Sequence, residues 1–97
     1  MADDVELKVK LTKDASGTLA RFAKAAGMTK GEMVAWLVRE TSRPSKRQVH
    51  KRTKEQRSEE VGLHLTALEA EALKATCRGL EGTAAQVVEA YIDQAST

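Results

Sequence analysis

A mainly α-helical fold carrying a two-stranded antiparallel β-ribbon, with two similar strand-helix-helix halves closing one core, is what this 97-residue chain predicts. Three observations predict it. Residues 5–11, VELKVKL, alternate apolar and polar side chains with the period of two that a half-buried strand requires. A second alternating run, VGLHLT at 61–66, starts 54 positions after Leu7. A Thr-x-x-Glu/Gln helix start occurs at Thr29 (TKGE) and again at Thr83 (TAAQ), also 54 positions apart.

The first strand places Val5, Leu7, Val9 and Leu11 on one face and Glu6, Lys8 and Lys10 on the other. Seven residues cannot satisfy their backbone groups or cover an apolar face alone, so a partner strand is required. The run at 61–66 supplies it, with Val61, Leu63 and Leu65 inward and Glu60, Gly62 and His64 outward. After Thr12, Leu19, Phe22, Ala23 and Ala26 have the spacing of a helix with one buried stripe; after Thr66, Leu73, Thr76, Cys77 and Leu80 repeat it. The second helix of each half carries Met33, Val34, Leu37 and Val38, matched by Val87, Val88, Tyr91 and Ile92. Gly27 ends the first helix and Thr29 caps the second. In the second half Glu81 stands at the position of Gly27, which leaves that helix end less defined. One such half cannot bury both helical stripes, whereas two can, with four helices beneath Leu7, Val9, Leu11, Val61, Leu63 and Leu65. Phe22, Trp36 and Tyr91 are expected in the core, and Cys77, matching Ala23, is expected to be a small buried hydrophobe.

Charge divides the chain into a first unit at 1–40, a basic linker at 41–60 and a second unit at 61–97. Residues 41–57 hold seven Lys/Arg and one Asp/Glu, whereas residues 58–97 hold two and seven. The segment SRPSKRQVHKRTKEQR is either a coil that lies on phosphates or, after Pro44, a basic helix from Lys46 to Glu60. Its solvated reading is an ordinary linker. One cysteine and two histidines exclude an internal disulfide and a Cys/His zinc site. Neither a membrane helix nor an apolar leader is legible, so a cytoplasmic protein without a membrane role is expected. No Ser/His/Asp, Cys/His or phosphate-loop constellation points to catalysis, and no cofactor is implied.

These residues and their spacing resemble the ribbon-helix-helix superfamily of Arc- and MetJ-type DNA-binding proteins. The chain is similar to two copies fused in tandem, covering 5–40 and 60–95, as in TraY-type plasmid proteins. The resemblance implies a ribbon in the major groove of double-stranded DNA, with base reading by Glu6, Lys8, Lys10 and His64. It also implies phosphate contacts at the starts of the second helices, through Thr29, Lys30 and Thr83 with their neighbours Met28, Gly82 and Ala84. The basic residues Lys46, Arg47, Lys51 and Arg52 would add phosphate contacts from the linker. The function expected is that of a repressor or other regulator, or of a plasmid DNA-processing accessory factor. An antitoxin-like module gripping a protein partner through its acidic second half is the alternative.

Both strands are expected to come from one chain, giving a monomer with internal pseudo-two-fold symmetry that can assemble further on DNA. Trp36 corresponds to Ala90 and Phe22 to Thr76, so an unlike pair sets large against small where a like pair would not. Such a pair would present Lys8 and Lys10 at one end of the ribbon and His64 at the other.

Overall fold

The structure, a computed structural model, describes residues 5–49 and 57–96. It is mainly helical with one two-stranded antiparallel sheet. Strand β1 (Val5–Leu11) leads into helix α1 (Lys13–Ala26) and helix α2 (Lys30–Glu40). A 3-10 turn at Lys46–Gln48 precedes strand β2 (Glu59–Leu65), helix α3 (Ala67–Leu80) and helix α4 (Ala84–Ser96). Among the described residues, no helix is long and apolar enough to cross a membrane.

Each helix begins where a threonine can turn its hydroxyl onto a free N–H. The Thr66 hydroxyl accepts from Glu69 N while Glu69 Oε1 accepts from Thr66 N, and Thr29 and Glu32 do the same at α2. At α1, Thr12 accepts from Ala15 N at 3.2 Å, but alanine at this third helical position cannot return the bond. The missing acceptor comes from across the molecule: Glu89 of α4 takes the Thr12 N–H at 3.1 Å.

The ends of α1 and α3 share one geometry with different residues. Gly27 has φ 70° and Glu81 φ 55°, both left-handed, and Met28 N and Gly82 N bond back to Ala23 O and Cys77 O. The helix end left open at Glu81 is therefore built as at Gly27, against the steric preference of a residue with a Cβ.

The strands pair as Val5↔Leu65, Leu7↔Leu63, Val9↔Val61 and Leu11↔Glu59 on the inner side. Val9, Leu11, Val61, Leu63 and Leu65 are buried, while Val5 and Leu7 are half-buried. Below them lie Leu19, Val34, Leu37, Leu73, Val87 and Val88, each almost fully enclosed. The second helix of each half packs on the strand of the other, α2 on β2 and α4 on β1, so neither half closes a core alone. Tyr91 is fully buried, but Phe22 and Trp36 are only half-buried at the edge of the core. The small residues Thr76 and Ala90 take the interior positions, and the Thr76 hydroxyl bonds to Ala72 O at 2.9 Å. Cys77 is half-buried, which holds its thiol pKa above the ordinary value by desolvation.

The expected linker differs in two ways. Strand β2 starts at Glu59, two residues inside the 41–60 boundary. In place of a basic helix opening at Lys46, residues 46–48 make only a single 3-10 turn, and Val49 leaves it extended. The reason is apolar: Pro44 and Val49 are buried, and a helix through Val49 would pull that side chain out of the protein. Gln94 Nε2 also donates to Ser42 O at 2.8 Å, tying the segment to α4. Lys51, Arg52 and the rest of 50–56 lie outside the described residues.

Candidate nucleic-acid interface

The outer side of the ribbon is a strip of six exposed positions in three rungs. Glu6 faces His64, Lys8 faces Gly62 and Lys10 faces Glu60. Its exposure follows from the pleat, because burying one face of alternating strands turns the other outward. All four residues expected to read bases lie on this strip, with Lys10 and His64 at opposite ends as expected and Lys8 at the centre rather than at the Lys10 end. Lys10 shares its end rung with Glu60. His64 shares the other end with Glu6, its Nε2 3.8 Å from Glu6 Oε1, an ion pair when the imidazole is protonated. Lys8 is the only basic side chain on the strip whose cross-strand neighbour brings no carboxylate. The strip is thus close to neutral in sum, and a donor stands beside an acceptor at its two end rungs.

The strip has a stiff backing at its centre. The first turn of α2 approaches β2 so closely that a Cβ on Gly31 would lie 2.3 Å from the Gly62 carbonyl oxygen. Only glycine permits this approach, which seats the start of α2 directly beneath the middle rung. On the outer side Gly62 has open space, with no atom within 4 Å of the place a Cβ would take.

The two helix starts expected to bind phosphate are not equivalent. At α2, Glu32 Oε1 accepts from Thr29 N at 2.9 Å and Glu32 N donates to Thr29 Oγ1 at 3.1 Å. The Thr29 backbone N–H, and after it the Thr29 side chain, hold the Glu32 carboxyl below the ordinary glutamate range. A carboxylate therefore already stands at this helix start, in the place where the dipole favours an anion. Lys30 is turned back into the protein, its Nζ donating to the buried Ser16 Oγ at 2.9 Å. At α4 the same box is closed by a neutral amide, Thr83 N donating to Gln86 Oε1 at 2.9 Å. The linker brings cations here: Lys46 Nζ lies 3.5 Å from Glu81 Oε2, and exposed Arg47 follows it. The capping box of α4 thus holds no carboxylate, and the acidic Glu81 two residues before Thr83 is paired with Lys46.

Two features of this architecture were not legible as such in the sequence. One is the close approach at Gly31. The other is Glu89, buried in α4, which accepts from Arg57 Nη2 at 2.7 Å and Arg57 Nε at 3.0 Å as well as from Thr12 N. It ties the segment before β2 to the start of α1, at the end of the ribbon where β1 stops and β2 begins. The available signal was the absence of a glutamate three residues after Thr12. Comparison with protein-family models, with characterised proteins and with solved structures gives no match to this chain.

Proposed function

We propose that this chain is a sequence-specific double-stranded DNA-binding protein that lays the β1/β2 ribbon in the major groove. In this reading it acts as a transcriptional regulator or as an accessory factor in plasmid DNA processing. The observation that carries the proposal is the exposed outer side of a ribbon whose inner side closes the core. A two-stranded ribbon fits the major groove, which is roughly 12 Å wide, and this one presents Lys8, Lys10 and His64 outward without cost to packing. Electrostatic attraction comes mainly from beyond the near-neutral strip, through the linker residues Arg43, Lys46 and Arg47 and the Lys51 and Arg52 that follow. Thr29 and Thr83 close the starts of α2 and α4, with a carboxylate in the first capping box and a neutral amide in the second.

The two halves are, in the same proposal, tandem copies related by a pseudo-two-fold axis, and the chain is monomeric in solution. Strand pairing supports this reading: Lys8 and Gly62, 54 positions apart, sit opposite each other. The same offset relates Glu6 to Glu60 and Lys10 to His64, so the two end rungs exchange under that axis. It also relates the starts of α1 and α3, and of α2 and α4. Sedimentation equilibrium should return a mass near 10.6 kDa; a mass near twice that would place the ribbon between two chains.

Anisotropy titrations of a labelled duplex across salt concentration test the binding itself. Affinity should fall steeply with salt, and replacing Lys46 and Arg47 with glutamine should flatten the log–log slope by about 0.9 for each phosphate the protein no longer neutralises. Failure to bind any duplex at low salt would overturn the proposal, and an unchanged slope would remove the linker from the interface.

A further inference from the structure

Resting on the DNA-binding reading, we propose that the ribbon selects a core of about five base pairs with G·C pairs at the first, third and fifth positions. The end pairs are complementary to each other, and the middle one breaks the symmetry. The argument starts from the three rungs. Adjacent outward side chains on one strand are about 6.6 Å apart at about 3.3 Å per residue. That corresponds to about two base-pair steps of 3.4 Å, so three rungs address alternate pairs over a span of five.

Each end rung sets an acceptor beside a donor. A carboxylate offers only acceptors, so Glu6 and Glu60 can enter a groove lined by phosphates only where a base presents an N–H. In the major groove that donor is the cytosine N4 amine or the adenine N6 amine. The neighbouring cation decides between them. A G·C edge has its donor at the cytosine end and two adjacent acceptors, O6 and N7, at the guanine end, which matches a carboxylate on one strand and a basic side chain on the other. An A·T edge has its donor in the middle, between separated single acceptors and beside a methyl group, so a side-by-side pair cannot satisfy both members. Lys10 with Glu60 and His64 with Glu6 are each complementary to G·C in this sense.

The orientation follows from the strand that carries each charge. Glu6 lies on β1 and Glu60 on β2, whereas Lys10 lies on β1 and His64 on β2. The DNA strand running beside β1 therefore meets a carboxylate at one end and a lysine at the other, which calls for cytosine and guanine respectively. The opposite strand reads the same way from its own end. At the centre Lys8 has Gly62 across from it and open space above Gly62, so one ammonium, able to donate to two adjacent acceptors, meets the middle pair with no carboxylate across from it. It calls for guanine. The core beside β1 is C-N-G-N-G or, with the ribbon in the other polarity, G-N-G-N-C.

Selection of duplexes from a random pool by the full chain, followed by sequencing, tests this. The expected result is enrichment of that gapped core, with a loss of about fivefold to a hundredfold in affinity when an end G·C is changed to A·T. Lys8→Ala, at an exposed position, should abolish preference at the middle pair and leave both ends unchanged, with circular dichroism verifying the fold. A·T pairs enriched at the ends, or a Lys8→Ala effect at an end, would overturn the inference. Retention of duplex without enrichment would overturn it while leaving DNA binding intact. Retention of no duplex at low salt would instead remove the reading on which it rests.

Discussion

Replacing Gly31 with alanine sets a helical gain against a steric cost, and the geometry decides between them. Alanine in place of glycine inside a helix is worth about 0.5–1 kcal/mol. The new Cβ would lie 2.3 Å from the Gly62 oxygen, 3.4 Å from the Gly62 carbonyl carbon and 3.5 Å from Leu63 Cα. Relief requires α2 and β2 to part by roughly 0.7 Å or more, and the opposing atoms are backbone in a paired strand, which no rotamer can move. Overpacking that forces backbone shifts costs about 1–3 kcal/mol, so a net loss of about 1–2 kcal/mol is expected. For a domain of this size that lowers Tm by about 5–15 °C. Gly17, in the middle of α1 with no atom within 4 Å of its Cβ position, is the control. Gly17→Ala should gain about 0.5–1 kcal/mol. Thermal and urea unfolding followed by circular dichroism would measure both. A Gly31→Ala protein that melts as high as Gly17→Ala would refute the claim that α2 is seated against the ribbon through that glycine.

Glu89→Ala removes the buried ion pair with Arg57 and the acceptor of the Thr12 N–H and should cost about 2–4 kcal/mol in urea unfolding, whereas replacing Arg57 and Glu89 together with methionine and leucine should recover much of it. Glu81→Gly removes a left-handed non-glycine residue and should gain about 0.5–1 kcal/mol net of the exposed contact to Lys46, read as a raised Tm. Glu32→Gln keeps an acceptor for Thr29 N but removes the carboxylate from the start of α2. If phosphate lies there, duplex affinity should rise several-fold, and an unchanged affinity would place α2 away from the DNA. The same substitution bears on pH: because the folded protein holds Glu32 below its ordinary pKa, its contribution is present at neutral pH and lost as the pH falls through the lowered value. The glutamine variant should therefore lose less stability on acidification.

The elements of this protein, and the face that each one buries, are local properties and follow from the sequence alone. Alternation in VELKVKL and EEVGLHL separates inner from outer residues, and threonine three residues before glutamate or glutamine marks three of the four helix starts, because both signals act within one turn or one pleat. The outer strip carrying Glu6, Lys8, Lys10 and His64 was legible for the same reason. Register was not, since nothing within either strand states which residue of the other it meets, and register is what sets Glu6 beside His64 and leaves Lys8 alone at the centre. Contacts between distant segments decided the rest. Glu89 completes the cap of α1 from α4, Val49 draws the basic segment onto the core, and Gly31 lets α2 reach the back of Gly62. Each of these depends on two pieces of chain whose proximity exists only after folding, so no window of sequence contains it.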